Sequence, residues 1–175
     1  AKGSCSGGLR ARAGGESVEL EAARVVDRVA ALYARYPVLE GKLEQALELF
    51  RRVAEIKPSF YAGHLDVAQT CVGLGLTGEA DLAYRRLLEI MPNYLLQNPD
   101  DSRARLIYAN QLGRAGRRED AIREGTKALT LTPGDPHMLY NAACMYASLG
   151  ESSRAIDTLR QAVEAGYTNF GWMQN

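Results

Sequence analysis

Histidine and tryptophan are the scarcest chemically useful residues in this 175-residue chain, which has only His64, His137 and Trp172. Neither histidine has a second histidine or a cysteine at a ligand-forming helical spacing, so no metal site and no cofactor are expected. The three cysteines, Cys5, Cys71 and Cys144, lie far apart with no C-x-x-C pair. They read as reduced thiols in a cytoplasmic setting rather than a disulfide framework. Neither sign of charge is in excess, with 21 Lys plus Arg against 21 Asp plus Glu. That excludes the basic surplus an electrostatic nucleic-acid binder uses to displace counterions. No apolar run approaches the roughly 20 residues that span a bilayer, and the N-terminus lacks the charged-then-apolar plan of a signal peptide. No membrane association is expected of the visible chain. Sustained period-two alternation is missing too, so no sheet is expected.

What is present is a period. Gly41, Gly75, Gly116 and Gly150 are separated by 34, 41 and 34 residues, and Ala46, Ala80, Ala121 and Ala155 each follow a glycine by five. Pro58, Pro92 and Pro133 close three of the units, and Tyr167 stands where a fourth proline would fall. A glycine ends one helix by allowing left-handed backbone, the alanine lets a second helix approach closely, and the proline stops that second helix. Each unit therefore reads as a helical hairpin. Apolar residues keep helical spacing before the glycines (Val67, Ala68, Cys71; Tyr108, Ala109, Leu112; Ala142, Ala143, Tyr146) and after them (Phe50, Ile56; Tyr84, Ile90; Ala128, Leu131; Leu159, Ala162). With 46% apolar residues the chain has enough for a continuous core.

From about Val18 to Gly166 this pattern resembles the tetratricopeptide-repeat (TPR) family, a 34-residue helix-turn-helix with a small residue, an aromatic and a closing proline in order. The resemblance implies an all-α fold, a right-handed α-solenoid of about four hairpins. The units are expected at about 17–58, 59–92 with an extension to 101, 102–135 and 136–166. They follow a glycine- and serine-rich tail over 1–16 and precede a capping segment over 167–175. Departures are specific: His64, Arg105 and Leu139 replace the opening tryptophan, and Gly125 replaces the second-helix aromatic of the third unit, which is expected to be locally loose. In the first unit Pro37 to Glu40 are placed in the turn, so the first helix uses Val26, Val29, Ala30 and Tyr33. The seven extra residues around Asn93 to Asp101 are nearly two helical turns and keep the stripe Tyr84, Leu88, Met91 and Leu95 in phase. A helix running through Pro92 toward Gln97 is favoured over a loop, with Asp100, Asp101 or Ser102 capping the next helix.

The stretch Leu139 to Leu149 (LYNAACMYASL), Gly150-Glu151 and the ending Ala165 to Asn175 (AGYTNFGWMQN) narrow the resemblance. Over roughly Asn98 to Asn175 the chain resembles the terminal repeats of bacterial adenylate-cyclase-like, serine/threonine-kinase-like and TolB-like signalling proteins. This implies a signalling context without catalysis, since no cyclase or kinase motif is present. The chain starts at Ala1 rather than methionine and is expected to be a fragment of a longer protein. Phe170, Trp172 and Met173 form an apolar cluster that either caps the last helix or supports association with another copy.

Stacked hairpins present their first helices to a concave groove, the default site for an extended peptide or partner helix. Leu65, Asp66, Gln69, Arg103, Ile107, Asn110, His137, Asn141 and Cys144 are expected to look into it. Asn110 and Asn141 match the two asparagines of the clamp by which chaperone-binding TPR domains hold a C-terminal carboxylate. Leu106 stands where that clamp has its first lysine, so chaperone tails are not the expected ligand. The remaining chemistry is explained by the repeat. His64 falls in the core-facing series. Cys71 and Cys144 sit in packing registers that want small residues. Gly73, Gly75 and Gly78 lack the strand and the lysine-serine pair of a phosphate loop. Glu119-Asp120 favour a positive helix end, and Arg117-Arg118 read as solvated charge in a turn. A protein-binding scaffold, not an enzyme, is the expectation, with self-association through the array ends as its alternative.

Overall fold

The computed structural model describes residues 42–168, and it divides into two compact units, 1–87 and 88–175. Among the described residues there are seven helices and no strands: α1 (Leu43–Ile56), α2 (Tyr61–Gly73), α3 (Thr77–Gln97), α4 (Ser102–Arg114), α5 (Arg118–Leu131), α6 (Pro136–Ser148) and α7 (Ser152–Glu164). The expected first helix around Val26 to Tyr33, the turn Pro37 to Glu40, the tail over 1–16 and the cluster Phe170, Trp172 and Met173 lie outside the described residues. What remains is the second helix of one hairpin (α1) and three further hairpins, α2/α3, α4/α5 and α6/α7. In each hairpin the first helix is called A and the second B.

The periodic glycines act as their spacing requires. Gly75, Gly116 and Gly150 have φ of +73°, +76° and +73°. That left-handed residue lets the next amide reach back along the helix, Leu76 to the Cys71 carbonyl (2.8 Å), Arg117 to Leu112 (2.9 Å) and Glu151 to Tyr146 (2.9 Å). Otherwise orphaned carbonyls at each A-helix end are thereby satisfied, and the chain is sent back into helix B. The periodic alanines Ala46, Ala80, Ala121 and Ala155 are all buried.

In the first unit, α1 buries Ala46, Leu47, Phe50 and Val53, one stripe at helical spacing, and packs on α2. Leu47, Cys71 and Ala80 form a small core joined by Val67, Leu74 and Tyr84, which ties α2 to the start of α3. An exposed Arg51–Glu79 ion pair adds a surface link.

Helix α3 contains Pro92 and continues to Gln97, as favoured over the loop. Pro92 has no N–H to donate to the carbonyl of Leu88, four residues back, and it stands exposed on the helix. The buried stripe is Leu87, Met91 and Leu95; Leu88 is only half-buried, a one-residue correction to the expected face. Of the three candidate caps, Asp101 serves: its Oδ1 accepts the Ala104 amide at 2.8 Å while its Oδ2 accepts the Tyr94 hydroxyl at 2.8 Å.

The second unit holds the main core. Leu106, Ala109, Ala128, Met138, Ala142, Met145, Tyr146 and Ala155 are buried together, with Ile122, Leu129 and Leu149 against them. The third hairpin has no unfilled space at Gly125. A Cβ there would run into the Met145 methyl and come within 2.7 Å of its sulfur, so the long side chain of α6 occupies the place of the missing aromatic. Met145 is fully buried. Arg105, at another departed register, is buried as well: its Nη1 pairs with Glu124 at 2.5 Å and its Nη2 donates to the Pro99 carbonyl at 2.7 Å.

Candidate peptide-binding face

The site is built on the A helices, whose inner edges are fixed by the stripes they bury. On α4, burial of Ala104, Leu106, Ala109 and Leu112 leaves Arg103 exposed and Ile107 and Asn110 half-buried. On α6, burial of Met138, Leu139, Ala142 and Tyr146 leaves His137, Asn141 and Cys144 exposed. The two helices pack on each other within the second unit, so these six expected groove residues belong to one pair of neighbouring helices. Leu65 and Asp66, half-buried, and Gln69, exposed, lie on α2 in the first unit.

The side chains differ in what they have left to offer. Asn110 donates one amide N–H to the Leu106 carbonyl of its own helix at 3.1 Å, retaining a second N–H and its acceptor oxygen. Cys144 is exposed, which corrects the reading of it as a core thiol; Cys71 is the core thiol, and burial pushes its pKa up. The face of α6 that is buried carries Met138, Leu139, Ala142, Ala143, Met145 and Tyr146, and Cys144 falls outside it.

Two aromatic residues beside this face are not singled out by the sequence. Tyr140 stacks on Tyr167 with ring centroids 4.3 Å apart and planes 6° from parallel, and His137 meets Tyr167 edge-on at 5.4 Å. Tyr167 is buried with Leu139 and Ala162. Burial and a hydrogen bond with Cys144 push the Tyr140 hydroxyl up to about 12, so it is a neutral phenol at physiological pH. A signal exists for Tyr140, which lies between His137 and Cys144 at steps of three and four, the spacing of one helix face. Tyr167 reads from sequence only as a substitute for proline. Its position comes from the end of α7, where Gly166 at φ +98° lets the Tyr167 amide bond the Ala162 carbonyl at 2.9 Å, the same turn that ends the A helices.

The other residues considered for chemistry have structural partners. His64 is half-buried, with Nε2 2.9 Å from the Pro58 carbonyl oxygen. Arg117 and Arg123 both hold Asp120, lowering its pKa through their hydrogen bonds. Arg118 reaches Glu151 at 2.5 Å, linking the third hairpin to the fourth, so this arginine pair is not simply solvated charge. Among the described residues no group of three His, Cys, Asp or Glu side chains could hold a metal ion, and no helix is long and apolar enough to cross a membrane.

Residues 136–165, spanning α6, α7 and their turn, match the family model of the tetratricopeptide repeat. A curated relative, cellulose synthase operon protein C of Pseudomonas fluorescens (strain SBW25), is 34% identical over 79 residues, 45% of this chain and 6% of the relative. The chain thus spans only a small part of that protein's length. Among solved structures, TTC0263, a thermophilic TPR protein of Thermus thermophilus, superposes with a TM-score of 0.56 at 22% identity, covering 83% of this chain and 74% of its own. YrrB, described as a TPR protein with an unusual peptide-binding site, gives 0.40 at 18% identity, covering 78% and 82%. MamA MSR-1 gives 0.45 at 22%, covering 76% and 70%. The chain has the helical-hairpin fold of tetratricopeptide-repeat proteins, with residues 136–165 matching the repeat itself.

Proposed function

We propose that the chain is a protein-interaction scaffold, not a catalyst, that holds an extended peptide or partner helix on the A-helix faces of α4 and α6. The observation that carries this reading is that two packed neighbouring helices leave Arg103, His137, Asn141 and Cys144 open to solvent on their unburied edges, with Ile107 and Asn110 half-buried among them. Amide side chains can bond a peptide backbone without selecting its sequence, a half-buried isoleucine supplies apolar contact, and Arg103 adds a point of charge. On the first unit's own A helix, Asp66 and Gln69 hold the registers of Ile107 and Asn110, and Leu65 that of Leu106.

The test is selection of binders from a displayed library of extended peptides, followed by calorimetry on variants. Asn141→Ala removes about one net hydrogen bond, roughly 1 kcal/mol, and should weaken a selected peptide about fivefold. Arg103→Ala with Asn141→Ala should weaken it further while leaving the far-UV circular dichroism unchanged. Full affinity in both variants would move the site off these helices. The resemblance over Asn98 to Asn175 supports a place for this module in a larger bacterial signalling protein, and the neighbouring coding sequence tests that directly. The unpaired thiols Cys71 and Cys144 support a cytoplasmic location, which fractionation of the producing cells would check.

A further inference from the structure

Charge in the second unit is sorted by helix, and the sorting bears on which peptide its open face takes. Between Ser102 and Glu164 every aspartate and glutamate lies on a B helix or in a connection. The A helices α4 (SRARLIYANQLGR) and α6 (PHMLYNAACMYAS) contain no acid, and the charges of α4 are all arginine. Away from the open face the arginines are matched. Arg105 meets Glu124, Arg117 and Arg123 meet Asp120, Arg118 meets Glu151 and Arg160 meets Asp157. Arg103 meets none: it is exposed and has no hydrogen-bond or ion-pair partner among the described residues.

Arg103 also stands where a cation is locally disfavoured. It lies in the first turn of α4, at the positive end of the helix, with no acid in that turn; the first turn of α5 holds Glu119 and Asp120 instead. Neither ion pairing within the chain nor helix electrostatics accounts for an arginine at this position. A carboxylate brought by a partner offsets both deficits.

The stripe that Arg103 begins sets the spacing. Ile107 and Asn110 follow it on one face of α4 at steps of four and three. At 1.5 Å rise per residue they lie about 6 Å and about 10 Å further along the axis. An extended peptide advances about 3.3 Å per residue, so these spans are about two and about three of its residues. Peptide side chains two apart point the same way, so one edge of the peptide meets both Arg103 and Ile107. The next peptide unit then falls beside Asn110, which keeps one N–H and its oxygen unspent.

We infer that the occupant of this face is an acidic segment in extended form, an inference that rests on the peptide-binding reading above. An aspartate or glutamate side chain of the segment meets Arg103, and an apolar side chain two positions away meets Ile107. The carboxylate is an internal side chain, because the alternation places a side chain rather than the chain end opposite Arg103.

The test pans a random peptide library against the 175-residue chain. Selected peptides should carry an acid two positions from an apolar residue. Replacing that acid by its amide, or Arg103→Gln in the protein, should each weaken binding about two- to fivefold, and the two together no more than either alone. High salt should weaken binding as well. Panning against Arg103→Glu, which puts an acid where the helix favours one, should select lysine or arginine at the same peptide position, with circular dichroism unchanged. Neutral or basic peptides weakened by Asn141→Ala but not by Arg103→Gln would overturn the inference and leave the site standing. Binding lost on amidating the peptide C-terminus, but not on replacing the internal acid, would overturn it in favour of a chain-end carboxylate. Peptides indifferent to both Asn141→Ala and Arg103→Gln, or no selected peptide at all, would overturn the inference and the site together.

Discussion

Glu124→Ala should destabilise the third hairpin far more than an ordinary surface substitution does. The Arg105 side chain is 6% exposed and that of Glu124 17%, with 2.5 Å between Nη1 and the carboxylate oxygen. Deleting the acid leaves a guanidinium inside with the Pro99 carbonyl as its hydrogen-bond partner and a buried Nε that already lacks one. Breaking a buried pair from one side costs roughly 3–5 kcal/mol; partial water access to Glu124 and the retained Pro99 bond bring the expectation to about 2–3 kcal/mol. Replacing both partners by apolar residues of similar size, Arg105→Met with Glu124→Leu, should return the hairpin to within about 1 kcal/mol of the parent, because no charge is then stranded. An array of hairpins need not unfold all at once, so the measurement is native-state hydrogen exchange at α4 and α5 amides rather than one global melt. The single variant should speed exchange there roughly 30- to 150-fold. A single-variant cost below about 0.5 kcal/mol, or a double variant as unstable as the sum of the singles, would refute the claim that Arg105 is held by Glu124.

Three further outcomes are expected. Gly125→Phe, which restores an aromatic to its register, should overpack against Met145 by about 1–3 kcal/mol, and adding Met145→Ala should recover much of the loss; thermal denaturation of the pair against each single variant decides this. Asp101→Ala should cost about 1–2 kcal/mol by removing both the α4 cap and the Tyr94 bond, whereas Asp101→Asn keeps the capping oxygen and should cost less in the same melts. Tyr140 holds its proton in the folded chain up to about pH 12, while the unfolded chain releases it near pH 10. The folded state therefore binds the extra proton between those values, and stability should fall as pH rises through that window, less steeply in Tyr140→Phe, as followed by urea titrations.

The fold was legible because its signals are local and repeated. A left-handed glycine, an alanine five residues later and a proline or aspartate at the next boundary act within one turn of the chain, and each recurs. The helical continuation through Pro92 was readable from phase, since seven residues return the apolar face to nearly the same side. Arg105 and Gly125 were different. Each looks like damage to the pattern when read along the chain, and each is repaired by a side chain on another helix, Glu124 or Met145, whose position no period announces. Cys144 differs too: its register shares a helical half-turn with buried residues, yet it falls outside the stripe that α6 buries. Of the six residues expected on α4 and α6, Arg103, His137, Asn141 and Cys144 are exposed and Ile107 and Asn110 half-buried, while the Tyr140–Tyr167 stack depends on the turn at Gly166, which lies outside the repeat's own spacing.

The Met145–Gly125 contact also limits how freely these hairpins could be exchanged. Repeats are usually thought of as interchangeable bricks, yet the third and fourth here are cut to each other like a tenon and its socket. A fourth hairpin borrowed from elsewhere, with the smaller polar side chain that Thr70 or Gln111 supplies at Met145's register, would leave the socket at Gly125 vacant. A conventional third hairpin would have no room for the tenon. The heritable unit in this part of the chain is therefore the pair, and duplication or recombination that divides it between α5 and α6 would be selected against even where every individual repeat is sound.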